Sequence, residues 1–192
     1  MSLMTPEVSL EASRHETPSG EMTRAMRPMT EPTLDPLVQR AMLSNDVAYE
    51  VLPCDPDLAD TAAFCAHYGF AIEQAANTIL VASKKVAPPR YAACVVLGTT
   101  RLDVNKKVSE LLGVKRLSFA DEETTMDLTG MMIGGVTAFG IGDLPIYVDS
   151  AVMEQARVVM GGGNRSSKLL LSPNELTKLP NVVVVEGLAK PK

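Results

Sequence analysis

Two short, unbroken apolar runs, NTILVAS (77–83) and YAACVVLG (91–98), set the strongest limit on what this chain can fold into. Runs of this length without polar alternation are typical of strands that are buried on both faces of a sheet. Helical patterns and further strand-like segments surround them, but without the regular strand–helix alternation of a doubly wound sheet. The sequence therefore predicts the α/β class, with a single domain in which helices surround a mixed, curved and barrel-like β-sheet.

Local signals place the other elements. Thr33 is a candidate N-cap, Gly69 is a candidate C-terminal stop, and the acidic residues at 121–123 favour a helix N-terminus. We predict helices over residues 33–43, 57–68, 102–113 and 121–130, and one that begins at Pro173. The inward residues of the helix at 102–113 are expected to be Val104, Val108, Leu111 and Leu112. Further strands are predicted over residues 47–52, 115–120, 145–149, 156–160, 168–172 and 181–187.

The N-terminal stretch differs in composition from the rest. Residues 1–32 contain four prolines, many Thr, Ser and Glu residues, and little apolar periodicity. Such a composition is typical of a disordered tail, so we predict a tail over 1–32 and a folded domain over 33–190. Hydrophobic residues make up 46% of the chain but aromatic residues only 4%, so the core is expected to be aliphatic.

The net charge of -5 hides a basic segment. Residues 84–116 hold eight Lys or Arg residues and two acidic ones, a net charge of +6 that leaves -11 for the remainder. A basic segment in an acidic protein can form a surface that faces phosphate groups. A solvated helix and strand edge is an equally good interpretation, because closeness in sequence does not establish one shared face.

The sequence gives little support for metal or nucleophilic catalysis. Three cysteines and two histidines are too few and too scattered for a zinc site. No GxxxxGK[ST] or GxSxG motif occurs, and GIGDLPI (140–146) precedes a strand rather than a helix. We predict no metal, no cofactor, no membrane helix and no secretory signal. The cysteines are expected to be small core residues in a reduced cytoplasm, and His67 a packing or capping residue.

Two glycine-rich loops, TGMMIGGVTAFG (129–140) and GGGNRSSK (161–168), lie beside predicted buried strands. Glycine allows a ligand to come close to backbone N–H groups, which can bind phosphate or a developing oxyanion. The second loop adds Arg165 and Lys168. Tight turns between strands are the better explanation of one such loop, whereas two of them make a binding site an equally good interpretation.

The core resembles the YbaK/prolyl-tRNA-synthetase-associated domain family, whose members are aminoacyl-tRNA deacylases. The resemblance runs over residues 34–188 and is carried by RLDVNKKVSELLGVKRLSFADEE, LTGMMIGGVTAFG, PIYVDSAVM and VVMGGGNRSSKLLLSP. It implies an α/β domain with a mixed sheet and a pocket near the glycine loops for the amino acid and terminal adenosine. The implied partners are the 3′ end of aminoacyl-tRNA and an aminoacyl-tRNA synthetase.

The resemblance also implies site residues. Catalysis would fall to Asn77, Gly134, Gly135 and Lys168. Substrate binding would fall to Phe139, Gly140, Asp149, Gly161, Gly162 and Arg165. Candidates for tRNA contacts in the basic segment are Lys84, Lys85, Arg101 and Lys106.

The chain departs from the family pattern at two positions. Asn77 stands where family deacylases carry a lysine, and Ala138 stands where many carry proline. Lys84 is a poor substitute for that lysine, because seven strand residues place it about 23 Å away on the opposite face. Lys106 and Lys168 are better candidates. Two functions follow: hydrolysis of mischarged aminoacyl-tRNA in trans, or a non-catalytic module that binds a tRNA 3′ end, a nucleotide or a small ligand.

Overall fold

Ten strands and five α-helices form the part of the chain, residues 32–192, that a computed structural model describes. The predicted tail lies outside these residues except for Pro32. The strands are β1 Glu50–Pro53, β2 Ala76–Ser83, β3 Tyr91–Leu97, β4 Thr100–Leu102, β5 Leu117–Phe119, β6 Ile146–Asp149, β7 Val158–Gly161, β8 Ser167–Leu171, β9 Val182–Val185 and β10 Ala189–Pro191. The α-helices are α1 Pro36–Ser44, α2 Thr61–Tyr68, α3 Ser109–Leu112, α4 Glu122–Thr129 and α5 Ser150–Met153.

The strands form three sheets within the described residues. The largest has the order β5-β2-β3-β6-β9 and is mixed, since β5, β2 and β3 pair antiparallel whereas β3, β6 and β9 pair parallel. A three-stranded antiparallel sheet has the order β1-β8-β7, and β4 pairs with β10. A single parallel bridge between Ala75 and Val159 connects the first two sheets. The predicted mixed α/β domain is confirmed, but the central sheet does not close into a barrel.

Both faces of the five-stranded sheet are covered at the central strands, as the apolar runs predict, whereas Phe119, Val183 and Val184 on the edge strands are exposed. One face packs with α1, α5 and the three-stranded sheet around Phe139, Ile146 and Leu169. The other face packs under the helical segment at 104–112 around Val108 and Leu188. Few aromatic side chains take part, so the core is aliphatic as expected. No helix within residues 32–192 has the length and apolar character needed to cross a membrane.

The first helix begins later than predicted. Pro36 occupies its first turn, and the Asp35 carboxylate accepts a hydrogen bond from the Leu37 N–H at 2.9 Å. Aspartate is a strong N-cap and proline suits the first helical position, so these residues start the helix instead of Thr33. The stop predicted at Gly69 is confirmed, because this residue adopts the left-handed conformation with a φ of 76°.

The segment predicted as one helix over 102–113 is divided. It comprises the end of β4, a π-helical turn over Val104–Val108, and α3. The wider π turn places the inward residues four apart at Val104, Val108 and Leu112, and Leu111 is 37% exposed instead of buried. The helix predicted from Pro173 is a 3₁₀ helix over Pro173–Lys178.

Candidate functional site

A cavity of about 270 Å³ lies where the two largest sheets meet. Its walls come from the first half of β2, the start of α2, the loop after α4, and the ends of β7 and β8 that carry Gly161 and Lys168. We call this the β2 cavity. It brings together residues from both glycine-rich loops and from one of the apolar runs, so it is the candidate functional site.

One wall of the β2 cavity is an unpaired strand edge. One edge of β2 pairs with β3 along its length. At the other edge β5 pairs only with Val81–Ser83, which leaves the start of β2 without a strand neighbour there. The Ser83 N–H donates to Arg90 on the β3 side, so by alternation Thr78 turns its own N–H and C=O toward the open side. The Thr78 hydroxyl is buried and has no hydrogen-bond partner among the described residues. This edge can therefore donate to and accept from a bound ligand.

Lys168 is a buried cation in the β2 cavity. The residue is only 6% exposed, and its Nζ donates to the carbonyls of Ala59 at 2.6 Å and Gly134 at 2.7 Å. The Nζ also lies 5.4 Å from the centre of the Phe64 ring, close enough for a cation–π contact. An ammonium group has three donors. Two are used here, so the third is available to a ligand in the cavity.

Burial lowers the pKa of the Lys168 ammonium, because the charged form loses solvation, and the Arg165 charge adds to this shift. Between the lowered native pKa and 10.5 the unfolded chain binds more protons than the native one. The free energy of unfolding therefore rises with pH across that window. We expect wild type to gain stability over a Lys168→Met variant as pH rises toward 10.5, measured by urea unfolding. Parallel pH profiles of the two proteins would contradict this pKa shift.

Asn77 also lines the β2 cavity and is held by a residue that the sequence did not single out. The Thr61 hydroxyl, in the first turn of α2, donates to the Asn77 side-chain oxygen at 2.5 Å. This bond directs the amide nitrogen of Asn77 away from Thr61. No pattern in the sequence connects the two residues, because they are 16 positions apart and belong to different elements.

The glycine loops pack against each other. The Gly163 N–H donates to the Gly135 carbonyl at 2.8 Å, and a Cβ at Gly161 would overlap the carbonyl oxygens of Gly135 and Val136. These glycines therefore allow the backbones of the two loops to come close to each other, a role separate from the predicted approach of a ligand. Gly134 and Gly161 line the cavity, whereas Gly135 and Gly162 do not.

The predicted N–H donors are only partly available. The Gly135 N–H donates to Met132 and the Gly162 N–H to Ser167, so neither is free for an oxyanion. Within residues 32–192 the N–H groups of Gly134 and Val136, both at the cavity, have no acceptor. The loop therefore offers two donors, but Val136 replaces Gly135 as the second.

Arg165 contacts the glycine loop from outside the cavity. Its guanidinium donates to the Ile133 carbonyl at 2.8 Å and twice to the Pro56 carbonyl, and it lies 3.7 Å from the Asp60 carboxylate. These bonds hold the loop at Gly134 against the segment that leads into α2. Arg165 does not line the cavity, and its role in substrate binding stays a prediction.

Three other predicted substrate contacts lie elsewhere. Phe139 is fully buried in the main core, and Gly140 packs on the backbone of α1 at Leu37. The Asp149 carboxylate caps α5 through the Ala151 N–H and also accepts from the Ala189 N–H at 2.8 Å. The resemblance implies that all three contact substrate. In the structure, Phe139 faces the core, Gly140 faces α1, and Asp149 faces α5 and the start of β10.

The four predicted tRNA contacts are all exposed. Lys84 and Lys85 follow β2, with the Lys84 N–H bonded to Arg116. Arg101 lies on β4, and Lys106 in the π-helical turn. None of the four lines the β2 cavity, so of the two lysines favoured as substitutes for the family lysine, Lys106 and Lys168, only Lys168 lies there.

The cysteines behave as core residues. All three are buried and unpaired, and Cys65 lines the β2 cavity. Burial raises the pKa of Cys54 and Cys65, and it raises the pKa of Cys94 to about 12. A thiol with a raised pKa is a poor nucleophile at neutral pH. Residues 32–192 contain no cluster of His, Cys, Asp and Glu residues that could hold a metal ion.

Solved structures share the fold. The hypothetical protein APE2540 superposes with a TM-score of 0.71 and 24% identity, over 80% of this chain and 99% of that one. A candidate trans-editing enzyme for prolyl-tRNA synthetase superposes with a TM-score of 0.69 and 24% identity, over 83% of this chain and 100% of that one. At this identity the likeness establishes the fold.

Sequence comparison establishes the family. The uncharacterised protein YwhH of Bacillus subtilis (strain 168) is 31% identical over 116 residues, which cover 56% of this chain and 73% of that protein. Residues 55–179 match the family model of the aminoacyl-tRNA editing domain. The matched range begins before α2, ends after β8, and includes every residue of the β2 cavity. The chain therefore belongs to the aminoacyl-tRNA editing domain family.

Proposed function

We propose that this protein hydrolyses the ester bond of mischarged aminoacyl-tRNA in trans, with the aminoacyl group bound in the β2 cavity. The observation that carries the proposal is the buried ammonium of Lys168, which keeps one donor free inside a cavity that has the open edge of β2 as one wall. The family match and the fold shared with a candidate trans-editing enzyme for prolyl-tRNA synthetase support it. The partners would be the 3′ end of aminoacyl-tRNA and a synthetase that produces it.

The reaction needs stabilisation of negative charge on the ester carbonyl. Water adds to the carbonyl carbon and the carbonyl oxygen becomes an oxyanion. Collapse expels the ribose oxygen, which takes up the proton that the attacking water releases. Donors aimed at the oxyanion contribute about 3 kcal/mol each in comparable enzymes. Lys168, the amide of Asn77 and the N–H groups of Gly134 and Val136 are donors that the cavity offers. Asn77 carries no charge, so Lys168 would supply the positive charge that the family places on the β2 strand.

Thr61 has a positioning role in this mechanism. By donating to the Asn77 oxygen it leaves the Asn77 amide nitrogen as the group that can reach substrate. We expect Thr61→Val to lower kcat about 10-fold, since an unrestrained amide can rotate and lose its orientation. Thr61→Ser retains the hydroxyl and is expected to keep near wild-type kcat. Equal kcat in the valine and serine variants, measured by single-turnover hydrolysis, would argue against the positioning role.

A panel of mischarged tRNAs tests the proposed function. Loss of the aminoacyl label above the spontaneous rate for at least one of them is the expected result. Comparison of Asn77→Ala with Lys168→Ala then assigns the chemistry, because activity that survives the first change and not the second depends on Lys168. Loss only with Asn77→Ala would assign the main role to the amide.

A non-catalytic binding module is the second candidate. Asn77 in place of the family lysine favours it, because the strand position that resembles the catalytic one lacks its charge. Such a module would bind the 3′ end of tRNA in the β2 cavity without hydrolysing the ester. Binding with no hydrolysis across the whole panel would therefore select this alternative.

A further inference from the structure

A second concavity lies on the other side of β5 from the β2 cavity. We call it the β5 groove, and its lining includes Arg101, Asp103, Asn105, Ser118, Phe119 and Lys190. Ala120, the residue after Phe119, lines the β2 cavity, so one step along the chain separates the two sites. Since β5 is an edge strand and consecutive residues border both sites, the two sites are neighbours at the edge of the sheet.

Phe119 is an unusual residue for this chain. It is 56% exposed, whereas Phe64 and Phe139 are fully buried and Phe70 stacks on Phe64. The chain has only four phenylalanines, and this one places its ring in the groove instead of in the core. An exposed aromatic ring beside positive charge is the arrangement that proteins use to bind single-stranded nucleic acid, since every base has a face that can stack.

The groove is basic. Arg101 is exposed and has no acidic partner among the described residues, and Lys106 is exposed on the adjoining π-helical turn. Asp103 is the one acidic residue of the lining, and Lys190 neutralises its charge through an ion pair at 2.6 Å. The groove thus keeps uncompensated positive charge next to the Phe119 ring. The aliphatic residues of the lining, Leu102, Val104 and Leu117, are buried, whereas the cations are accessible to a phosphate backbone.

We propose that the β5 groove binds the unpaired nucleotides that precede the aminoacylated end of an RNA, with one base stacked on Phe119 and a phosphate held by Arg101. The proposal rests on the proposed function, because it takes the terminal aminoacyl-adenosine to occupy the β2 cavity. It adds a subsite for the RNA itself that recognises no particular base. The protein then contacts its substrate at both sites, the β2 cavity and the β5 groove.

The test compares two RNA probes. One is a tRNA with its complete single-stranded 3′ end, and the other is the same tRNA with the last three nucleotides removed. Their binding to wild type, Phe119→Ala and Phe119→Tyr is measured by fluorescence anisotropy. Leu43→Ala is the control, because Leu43 is a large apolar residue on α1 that is 70% exposed and lines neither site.

We expect Phe119→Ala to weaken binding of the complete tRNA about 5- to 150-fold, the range found when a stacking aromatic is replaced by alanine. Phe119→Tyr and Leu43→Ala should bind like wild type. The trimmed tRNA should bind wild type and Phe119→Ala equally. Arg101→Gln should lower the slope of log affinity against log salt by about one.

Unchanged affinity of Phe119→Ala for the complete tRNA would overturn the proposal. An equal loss for the trimmed tRNA would overturn it too, because the ring would then contact another part of the RNA. Measuring the hydrolysis of aminoacyl-tRNA distinguishes failure of the subsite proposal from failure of the proposed function. Active wild type with an unchanged KM in Phe119→Ala would refute only the subsite, whereas wild type that binds the tRNA end but hydrolyses nothing would refute only the reaction.

Discussion

A Lys168→Met variant is expected to lose about 10²- to 10³-fold in the single-turnover rate of aminoacyl-tRNA hydrolysis, the loss typical of removing one oxyanion donor. Methionine keeps much of the length of the side chain but has no charge and no donor. In the β2 cavity this removes the third N–H of the ammonium, which is the one not bonded to a protein carbonyl. The rate is measured with the mischarged tRNA that wild type hydrolyses fastest.

Lys178→Met is the matched control for that change. Lys178 also donates to a backbone carbonyl, that of Asp46, but it does not line the β2 cavity. Its replacement is expected to leave the hydrolysis rate unchanged. If both variants lose activity equally, the effect of Lys168 is not specific to the cavity.

Stability must be measured alongside activity in the Lys168 variant. The carbonyls of Ala59 and Gly134 lose their charged donor, and an unsatisfied buried group costs about 1–3 kcal/mol. Removal of the cost of burying the ammonium acts in the opposite direction. We therefore expect a folded variant, and a cooperative unfolding transition at assay temperature confirms that lost activity reflects the site.

Gly161→Ala is expected to lower the free energy of unfolding by about 3 kcal/mol, at the upper end of the usual cost of overpacking. The new methyl group would overlap the carbonyl oxygens of Gly135 and Val136, which are backbone atoms and cannot turn aside. The two glycine loops must separate, so the hydrolysis rate should fall as well. Urea unfolding measures the first effect and single-turnover hydrolysis the second.

Gly142→Ala separates this clash from the general cost of replacing a glycine. Gly142 has a φ of 66° and open space around the position of a Cβ. Its replacement should cost only about 1–2 kcal/mol, which is the strain of the left-handed conformation, and should spare activity. A Gly161→Ala variant as stable and active as wild type would show that the loops do not need their close contact.

The fold was predictable because its central strands have strong local signals. The apolar runs that became β2 and β3 are buried on both faces, and Gly69 ends α2 through its own conformation. The strands β4 and β10 were missed for a physical reason. Each has three residues, neither has an apolar run, and their pairing joins segments almost 90 positions apart, so no local pattern marks them.

The segments that line the β2 cavity were predictable, whereas the atoms available in it were less so. Both glycine loops, Asn77 and Lys168 meet at one cavity, as the resemblance implies. Which N–H groups are free depends on bonds between loops, such as that from Gly163 to Gly135, and no sequence pattern encodes them. Thr61 and Thr78 were missed because a threonine at the start of a helix or within a strand carries no signal of its own.

The most direct test of the central claim is hydrolysis of mischarged aminoacyl-tRNAs by the wild-type protein under single-turnover conditions. With protein in excess over each tRNA of the panel, the account predicts that at least one aminoacyl ester is lost faster than in the absence of protein. It further predicts that Lys168→Met abolishes this acceleration while Lys178→Met does not. Esters that all persist at the spontaneous rate, despite bound tRNA, would contradict the claim that the β2 cavity is an active site.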